Sequence, residues 1–307
     1  MQIYFKNMIL HFCSYKNHIK PIYLLLLSFL LVCCTEEINV DVDSGETKLS
    51  IEATLTSDFK KHFVILKESS DVFYNEEAPS VANATINVSN GNTNYNYLET
   101  KPGYYESELE FAGEPGKTYS LSITNVDINK DGTMEEYVAH STMKQPYKVD
   151  YIEMNFDPDY ESERGRDDDD NGAFWLVSLY MQDNIETEDY YGFACRINDV
   201  LVHDTITEVL VQEDTYFNGE KTKGSNVGEF NQYKPDEILQ NMDKITLETY
   251  AIDEGYYDFV NQLQEMDQGQ SMFSGPPGNI TSNITNNAIG YFAVYSITRT
   301  SVIHKTD

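Results

Sequence analysis

The chain of 307 residues carries 21 lysines and arginines against 51 aspartates and glutamates, and its net charge of −30 excludes nucleic acid as a partner. Hydrophobic residues at 40% supply a sizeable core, and 23 tyrosines against a single tryptophan, Trp175, favour half-buried strands over helical bundles. A polyanion also gains nothing by lying on anionic lipid, so any membrane contact is confined to an anchor.

Lys16, His18 and Lys20 precede an uncharged run, PIYLLLLSFLLV. It is shorter than the about 20 apolar residues of a spanning helix and suits the core of a secretory signal. Residues 1–33 are therefore read as a lipoprotein signal peptide. Leu31, Val32, Cys33 and Cys34 resemble a bacterial lipobox, with Cys34 the lipidated residue and Cys33 its close competitor. Acyl chains bury methylenes at about 0.8 kcal/mol each, which holds a chain to a bilayer without a spanning segment. Cleavage would remove three lysines and no acids, leaving 18 minus 51, or −33. Thr35, Glu36 and Glu37 resemble the acidic export signal of surface-exposed lipoproteins in Bacteroidetes-type bacteria, and residues 34–46 read as an acidic tether. The expected location is the outer membrane, lipid-anchored and facing outward.

From Leu49 onward, apolar residues recur at every second position, in LSIEATL, HFVILK, ATINVS, NYNYL, TYSLSIT and EYVAHS, with Gly, Pro, Asn or Asp between. Residues 47–145 are expected to form an antiparallel β-sandwich of the immunoglobulin or transthyretin type. A boundary near Gln145 and Pro146 leads to a second β-rich domain, 146–307. There YIEMNF, AFWLVSLYMQD, YYGFACRI, EVLVQ and DKITLETYAID read as strands, and DPDYESERGRDDDDNG as a charged loop. The period then changes: Tyr256, Phe259 or Val260, Leu263 and Met266 fall on one face of a helix over 254–267, with Asp253 as its cap and Gly269 beyond its end. A rigid loop and a terminal strand follow. The fold class is mainly β with one helix.

Three tracts, GYYESELEFAGEPGKTYSLSI, AFWLVSLYMQD with EDYYGFACRI, and FSGPPGNITSNITNNAIGYFAVYS, resemble the lipoprotein family known as domain of unknown function 4249. That family's last tract reads F-x-x-P-P-x-x-x-S-N-I-x-x-G-x-G-x-F, matched here by Phe273, Pro276, Pro277, Ser282, Asn283, Ile284, Gly290 and Phe292. Asn287 or Ala288 stands where the first late glycine is expected. The resemblance covers nearly all of the mature chain and implies an outer-membrane lipoprotein accessory to a TonB-dependent receptor, binding an unknown nutrient ligand.

DINKDGT places Asp127, Asn129, Asp131 and Gly132 at a spacing that wraps oxygen ligands round calcium. Position twelve is Val138, so Glu135 or Glu136 would supply the distal carboxylate; the alternative is a polar hairpin turn. Asp167, Asp169, Asn171 and Gly172 repeat the spacing and read as a solvated loop. No other cofactor is required. Cys195 with His203 is the one nucleophile pair on offer, and a small buried thiol in a strand is the ordinary explanation. HExxH and GxSxG are missing, so the chain is expected not to be an enzyme. The doublets Tyr104–Tyr105, Tyr190–Tyr191 and Tyr256–Tyr257 would each turn one ring outward on a strand, toward the core rim or a sugar or peptide. Sequons at Asn83, Asn87, Asn279 and Asn283 carry no weight in a bacterial compartment, and Asp204, Thr205 and Ile206 resemble an O-glycan acceptor of Bacteroidetes-type exported proteins. A structural or adhesive surface protein without a transport role is the competing class.

Overall fold

The structure is a computed structural model that describes residues 47–69, 78–161, 171–202, 205–206, 208–215, 217–267 and 280–305. The signal peptide, Cys33, Cys34 and the tether lie outside the described residues, as do Phe273, Pro276, Pro277 and Asn279. The first strands are β1 (Leu49–Thr56), β2 (Phe63–Glu68), β3 (Thr85–Ser89), β4 (Asn94–Lys101), β5 (Tyr104–Ser107), β6 (Thr118–Val126) and β7 (Glu135–Thr142). They are followed by β8 (Val149–Glu161), β9 (Asn171–Met181), β10 (Tyr190–Ile197), β11 (Val200–Leu201), β12 (Leu210–Glu213), β13 (Ser225–Asn231) and β14 (Lys244–Ile252). Helix α1 (Glu254–Asp267) and the long strand β15 (Ile289–Ile303) complete a mainly β fold. Among the described residues no helix is long and apolar enough to cross a membrane.

One large sheet runs β11-β10-β14-β15-β1-β2-β5-β4-β3-β6-β7, with β12 beside β10; a smaller sheet is β13-β9-β8. The expected boundary near Gln145 and Pro146 is bridged, because β15 pairs in parallel with β1 and antiparallel with β14. Residues 45–307 form one compact unit. The parallel pair joins the first strand of the expected antiparallel sandwich to the last strand of the chain's second half. Gly290 makes it possible: it has φ +108, and a Cβ there would stand 1.9 Å from the Ile51 carbonyl oxygen.

Alternation sets the core. Leu49, Ile51, Ala53 and Leu55 turn inward from β1 and join Leu121 and Ile123 of β6, Tyr137 of β7 and Phe292 of β15 in one cluster, so strands from the middle of the path and from its β7 end share a core. A second cluster packs Tyr191, Phe193, Cys195, Ile245 and Leu247 of the large sheet against Val177, Leu179 and Phe230 of the small one.

Two sequence boundaries move. Asp157–Glu161, expected in the charged loop, continue β8, because Tyr160 and Glu161 pair with Gly172 and Asn171 beyond a bulge, and Tyr160 packs edge-on to Phe174. Asn171 and Gly172 thus belong to a strand; Asp167 and Asp169 lie outside the described residues. Met266, expected on the buried helix face, is 45% exposed, because packing of α1 ends around Leu263.

Candidate functional site: a tyrosine-rich cavity under the helix

The face of β10, β14, β15 and β1 turned away from the small sheet carries Gly192, Tyr250, Ile252, Tyr291, Ala293, Tyr295 and Glu52. Helix α1 lies across its apolar end. Asp253 caps the helix, its Oδ1 accepting the Tyr256 N–H at 2.8 Å. The same Oδ1 accepts the Tyr291 hydroxyl at 2.8 Å and Oδ2 accepts that of Ser141 at 2.9 Å, so the cap ties α1 to β15 and β7. Gly255 keeps this approach open, since a Cβ there would meet the Tyr291 oxygen at 2.5 Å. Phe259 and Val260 are buried against the sheet, worth roughly 1.5–3 kcal/mol each at most. Gln262 receives the Thr281 N–H at 2.7 Å and Gln264 donates to the Val209 carbonyl at 2.7 Å, fixing both flanks of the helix.

Between α1 and the sheet is a cavity of about 620 Å³, within the range of small-molecule sites. Its wall is largely apolar, with Ile252, Val211, Leu263 and Phe259 at one side. Tyrosines form the rest. Tyr256 faces Tyr291 and Tyr295 at centroid separations of 5.5 and 6.1 Å, and Tyr250 faces Tyr295 at 4.9 Å. Burial pushes the phenols of Tyr250, Tyr256, Tyr291 and Tyr295 upward, with nearby acidic or phenolic groups adding to it, so all four stay neutral.

Among the described residues Glu52 is the one acidic residue in the lining. It is exposed at the lining, yet partial desolvation raises its carboxyl above the usual glutamate value, against the lowering effect of Lys67. In register it stands beside Tyr291 on β15 and Ile65 on β2.

Along the same sheet face, past Tyr250, the chemistry turns ionic. The buried Glu248 takes hydrogen bonds from Arg196 Nε, Arg299 Nε and the Tyr250 hydroxyl, each at 2.7 Å. Burial raises its carboxyl, but Arg196, Tyr250 and Arg299 outweigh that and hold it below the ordinary range. A polar recess of about 360 Å³ beyond it is lined by Arg196, Asp199, Lys244, Thr246, Arg299 and Ser301.

Sites singled out in the sequence are scattered. In DINKDGT, Asp127 accepts the N–H groups of Asp131 and Gly132 at 3.1 and 2.9 Å, Asn129 Oδ1 that of Asp131 at 3.0 Å, and Asp131 Oδ1 that of Thr133 at 2.7 Å. Hydrogen bonds from Thr133 hold the Asp131 carboxyl low. Glu135 points back into the strand, accepting from Ile128 N–H at 2.9 Å and the Tyr137 hydroxyl at 3.1 Å. Cys195 is buried in the second cluster, and His203 lies outside the described residues. Tyr105 and Tyr191 are buried while Tyr104 and Tyr190 are half-buried; Tyr256 and Tyr257 stand on α1, not on a strand.

Among the described residues, three other carboxylates converge within 4.8 Å: Asp183, Asp189 and Asp214. Asp183 and Asp189 flank the β9–β10 turn and Asp214 follows β12, so no single local spacing signals all three. Asp183 accepts the Tyr191 hydroxyl and the Gly219 N–H, and Asp214 the Asp189 N–H. Burial, then the neighbouring acids, raises Asp214.

The last tract now has a physical role. Asn283 Oδ1 accepts the Phe292 N–H at 2.9 Å and Nδ2 donates to the Phe292 carbonyl at 3.0 Å, as a paired strand would. Ser282 Oγ donates to the Gly290 carbonyl at 2.7 Å, and Ile284 is buried in the first cluster. Asn286 and Asn287 hold φ 60 and 57, so Asn287 occupies the left-handed conformation that glycine would favour. The model of the family described as domain of unknown function 4249 matches residues 35–301. The chain belongs to that family. No curated protein matches it. The family's Ser-Asn-Ile and late glycine, as they stand here, are the clasp that seats β15 beside β1.

Proposed function

We propose that this family member is a non-enzymatic lipoprotein of the outer membrane, anchored through Cys34, which captures a small nutrient and passes it to a TonB-dependent receptor. The observation that supports capture is the half-open cavity of about 620 Å³ under α1, with its largely apolar wall, neutral phenols and, among the described residues, one acidic side chain. Cys195 is buried among apolar side chains, which favours a packing role over a nucleophilic one. The lipobox-like Leu31–Cys34 run and the acidic residues after it support the anchor and the outward orientation.

A natively expressed, C-terminally tagged protein, extracted in mild detergent, is expected to bring down a large β-barrel partner. Failure to recover one would overturn the receptor assignment and favour an adhesive or structural surface protein. Labelling with a fatty-acid probe tests the anchor: Cys34→Ala should abolish the label and Cys33→Ala should not, and the opposite pattern would assign the anchor to Cys33.

A further inference from the structure

The cavity's chemistry is narrower than its volume suggests. Among the described residues a single acidic side chain, Glu52, lines a space walled mainly by aliphatic residues and by Phe259, Tyr250, Tyr256, Tyr291 and Tyr295, with Ser50, Thr54 and Thr205 at its polar points. Among the described residues no hydrogen bond or ion pair within 4.0 Å engages its carboxylate. The charged and titratable groups that face it are Lys67 on β2, Tyr256 on α1, and Tyr104 on β5. Lys67 is the only cation of that set, and it lies outside the cavity lining. The phenols stay neutral and offer ring faces and hydroxyls.

An anion placed here would meet Glu52 and the acidic field of a chain with net charge −30. A neutral apolar molecule would fill the wall and further desolvate the carboxylate, with Lys67, outside the lining, as the cation that faces it. A cation satisfies both features, because aromatic faces attract ammonium groups and a carboxylate partly withdrawn from water pairs with them. The apolar side, Ile252, Val211, Leu263 and Phe259, then takes the rest of the molecule.

We infer that the cavity under α1 binds an amphipathic organic cation, an amine or quaternary ammonium on an apolar body, with the charge against Glu52 and the tyrosine rings and the body against α1. This deepens the capture reading and rests on it. Binding requires ionised Glu52. Its raised carboxyl value means that affinity falls on acidification at a higher pH than an ordinary glutamate would give, while the amine stays charged throughout.

Phenylpropylamine, phenylpropanol and phenylpropionate share one apolar body and differ in head-group charge. Titrated calorimetrically into the lipid-free chain at pH 7, the amine is expected to bind about tenfold more tightly than the alcohol, and the anion more weakly still. Glu52→Gln should remove the amine's advantage and leave the alcohol's affinity in place, and Tyr256→Ala should weaken both. Thermal melts of each variant verify that the fold is kept. Equal affinity for amine and alcohol, or a preference that survives Glu52→Gln, would overturn the inference and leave ligand capture standing. A wild-type cavity that takes none of the three probes would overturn both.

Discussion

Arg299 clasps Asp58 with both terminal nitrogens, Nη1 on Oδ1 at 2.7 Å and Nη2 on Oδ2 at 2.6 Å, across 241 positions of sequence. Its Nε turns the other way to Glu248, which Arg196 also holds, so one acid anchors two guanidinium groups on the sheet face behind the cavity. Glu248 has only 1% of its surface exposed, and its removal would take the carboxylate partner from Arg196 and leave Arg299 with Asp58 alone. Glu248→Ala is expected to lose about 3–5 kcal/mol in urea denaturation. Asp58→Asn, at a more open pair, should lose about 1 kcal/mol or less. A Glu248→Ala variant as stable as wild type would show that the network does not contribute to stability.

Much of the strand pattern was legible because burial on one side leaves a period of two: Leu49, Ile51, Ala53 and Leu55 all face the core as that alternation requires. The helix over 254–267 was legible from its change of period and its Asp253 cap. Strand partners were not, since the parallel pairing of β1 with β15 depends on residues some 240 positions apart and on a glycine whose role appears only beside Ile51. Glu52 was hidden for a related reason. In LSIEATLT it takes the place of an ordinary solvent-facing residue, and only α1, folding over from the far end of the chain, turns that solvent into a cavity.

Asn283 stands in for a strand residue, and its substitution separates the amide's two roles. Asn283→Asp keeps the acceptor for the Phe292 N–H and loses the donor to the Phe292 carbonyl; Asn283→Ala loses both. Stability losses of about 1–3 kcal/mol are expected, larger for alanine, because Phe292 is buried and its amide would be left unpaired. Faster hydrogen exchange at the Phe292 amide in the alanine variant checks the assignment, and unchanged exchange would remove it.

Cys195 fits a gap that Gly228 leaves. A Cβ at position 228 would fall 2.4 Å from Cys195 Sγ and 3.2 Å from Val177 Cγ2. Gly228→Ala is therefore expected to destabilise by about 1–3 kcal/mol through overpacking. Cys195→Ala in the same chain should restore part of the loss, a coupling that a double-mutant cycle measures directly. Strict additivity would show that the thiol is not what the new methyl group meets.

The DINKDGT turn supports a second measurement. Asp127 braces it by accepting two backbone N–H groups, so Asp127→Ala should lose about 1 kcal/mol. We propose weak calcium binding at Asp127, Asn129 and Asp131, with affinity of about 10⁻⁴ to 10⁻³ M because the distal bidentate carboxylate is missing. Millimolar calcium should raise the melting temperature more than magnesium does, through binding to the native state alone, and Asp127→Ala with Asp131→Ala should abolish the rise. An unresponsive wild-type melt would leave the segment as an ordinary hairpin turn.

His62 gives the fold a pH dependence whose direction follows from its surroundings. The ring is buried against Phe111 at a centroid separation of 4.6 Å, and its Nε2 lies 2.9 Å from the Phe111 carbonyl oxygen. A carbonyl can only accept, so Nε2 carries the proton and the neutral ring has Nδ1 bare, a buried atom without a partner among the described residues. Burial, countered in part by that hydrogen bond, lowers the ring from the ordinary value of 6.5 to about 4. Above pH 6.5 neither folded nor unfolded ring holds the extra proton, and this residue contributes no slope. Between 6.5 and about 4 the unfolded chain binds a proton that the folded chain refuses, so stability falls as pH falls, by up to about 3 kcal/mol from this group. Asp58 and Glu248, held low, add to the acid loss, whereas Glu52 and Glu237, raised by burial, oppose it. The comparison that isolates His62 is thus wild type against His62→Gln, which does not titrate and keeps a donor for the Phe111 carbonyl. Chemical denaturation from about pH 7.5 to 4 in roughly half-unit steps should give parallel stabilities above about 6.5 and a wild-type curve that drops more steeply below it. Curves that stay parallel to pH 4 would mean that the ring takes up its proton in the folded chain as readily as in the unfolded one.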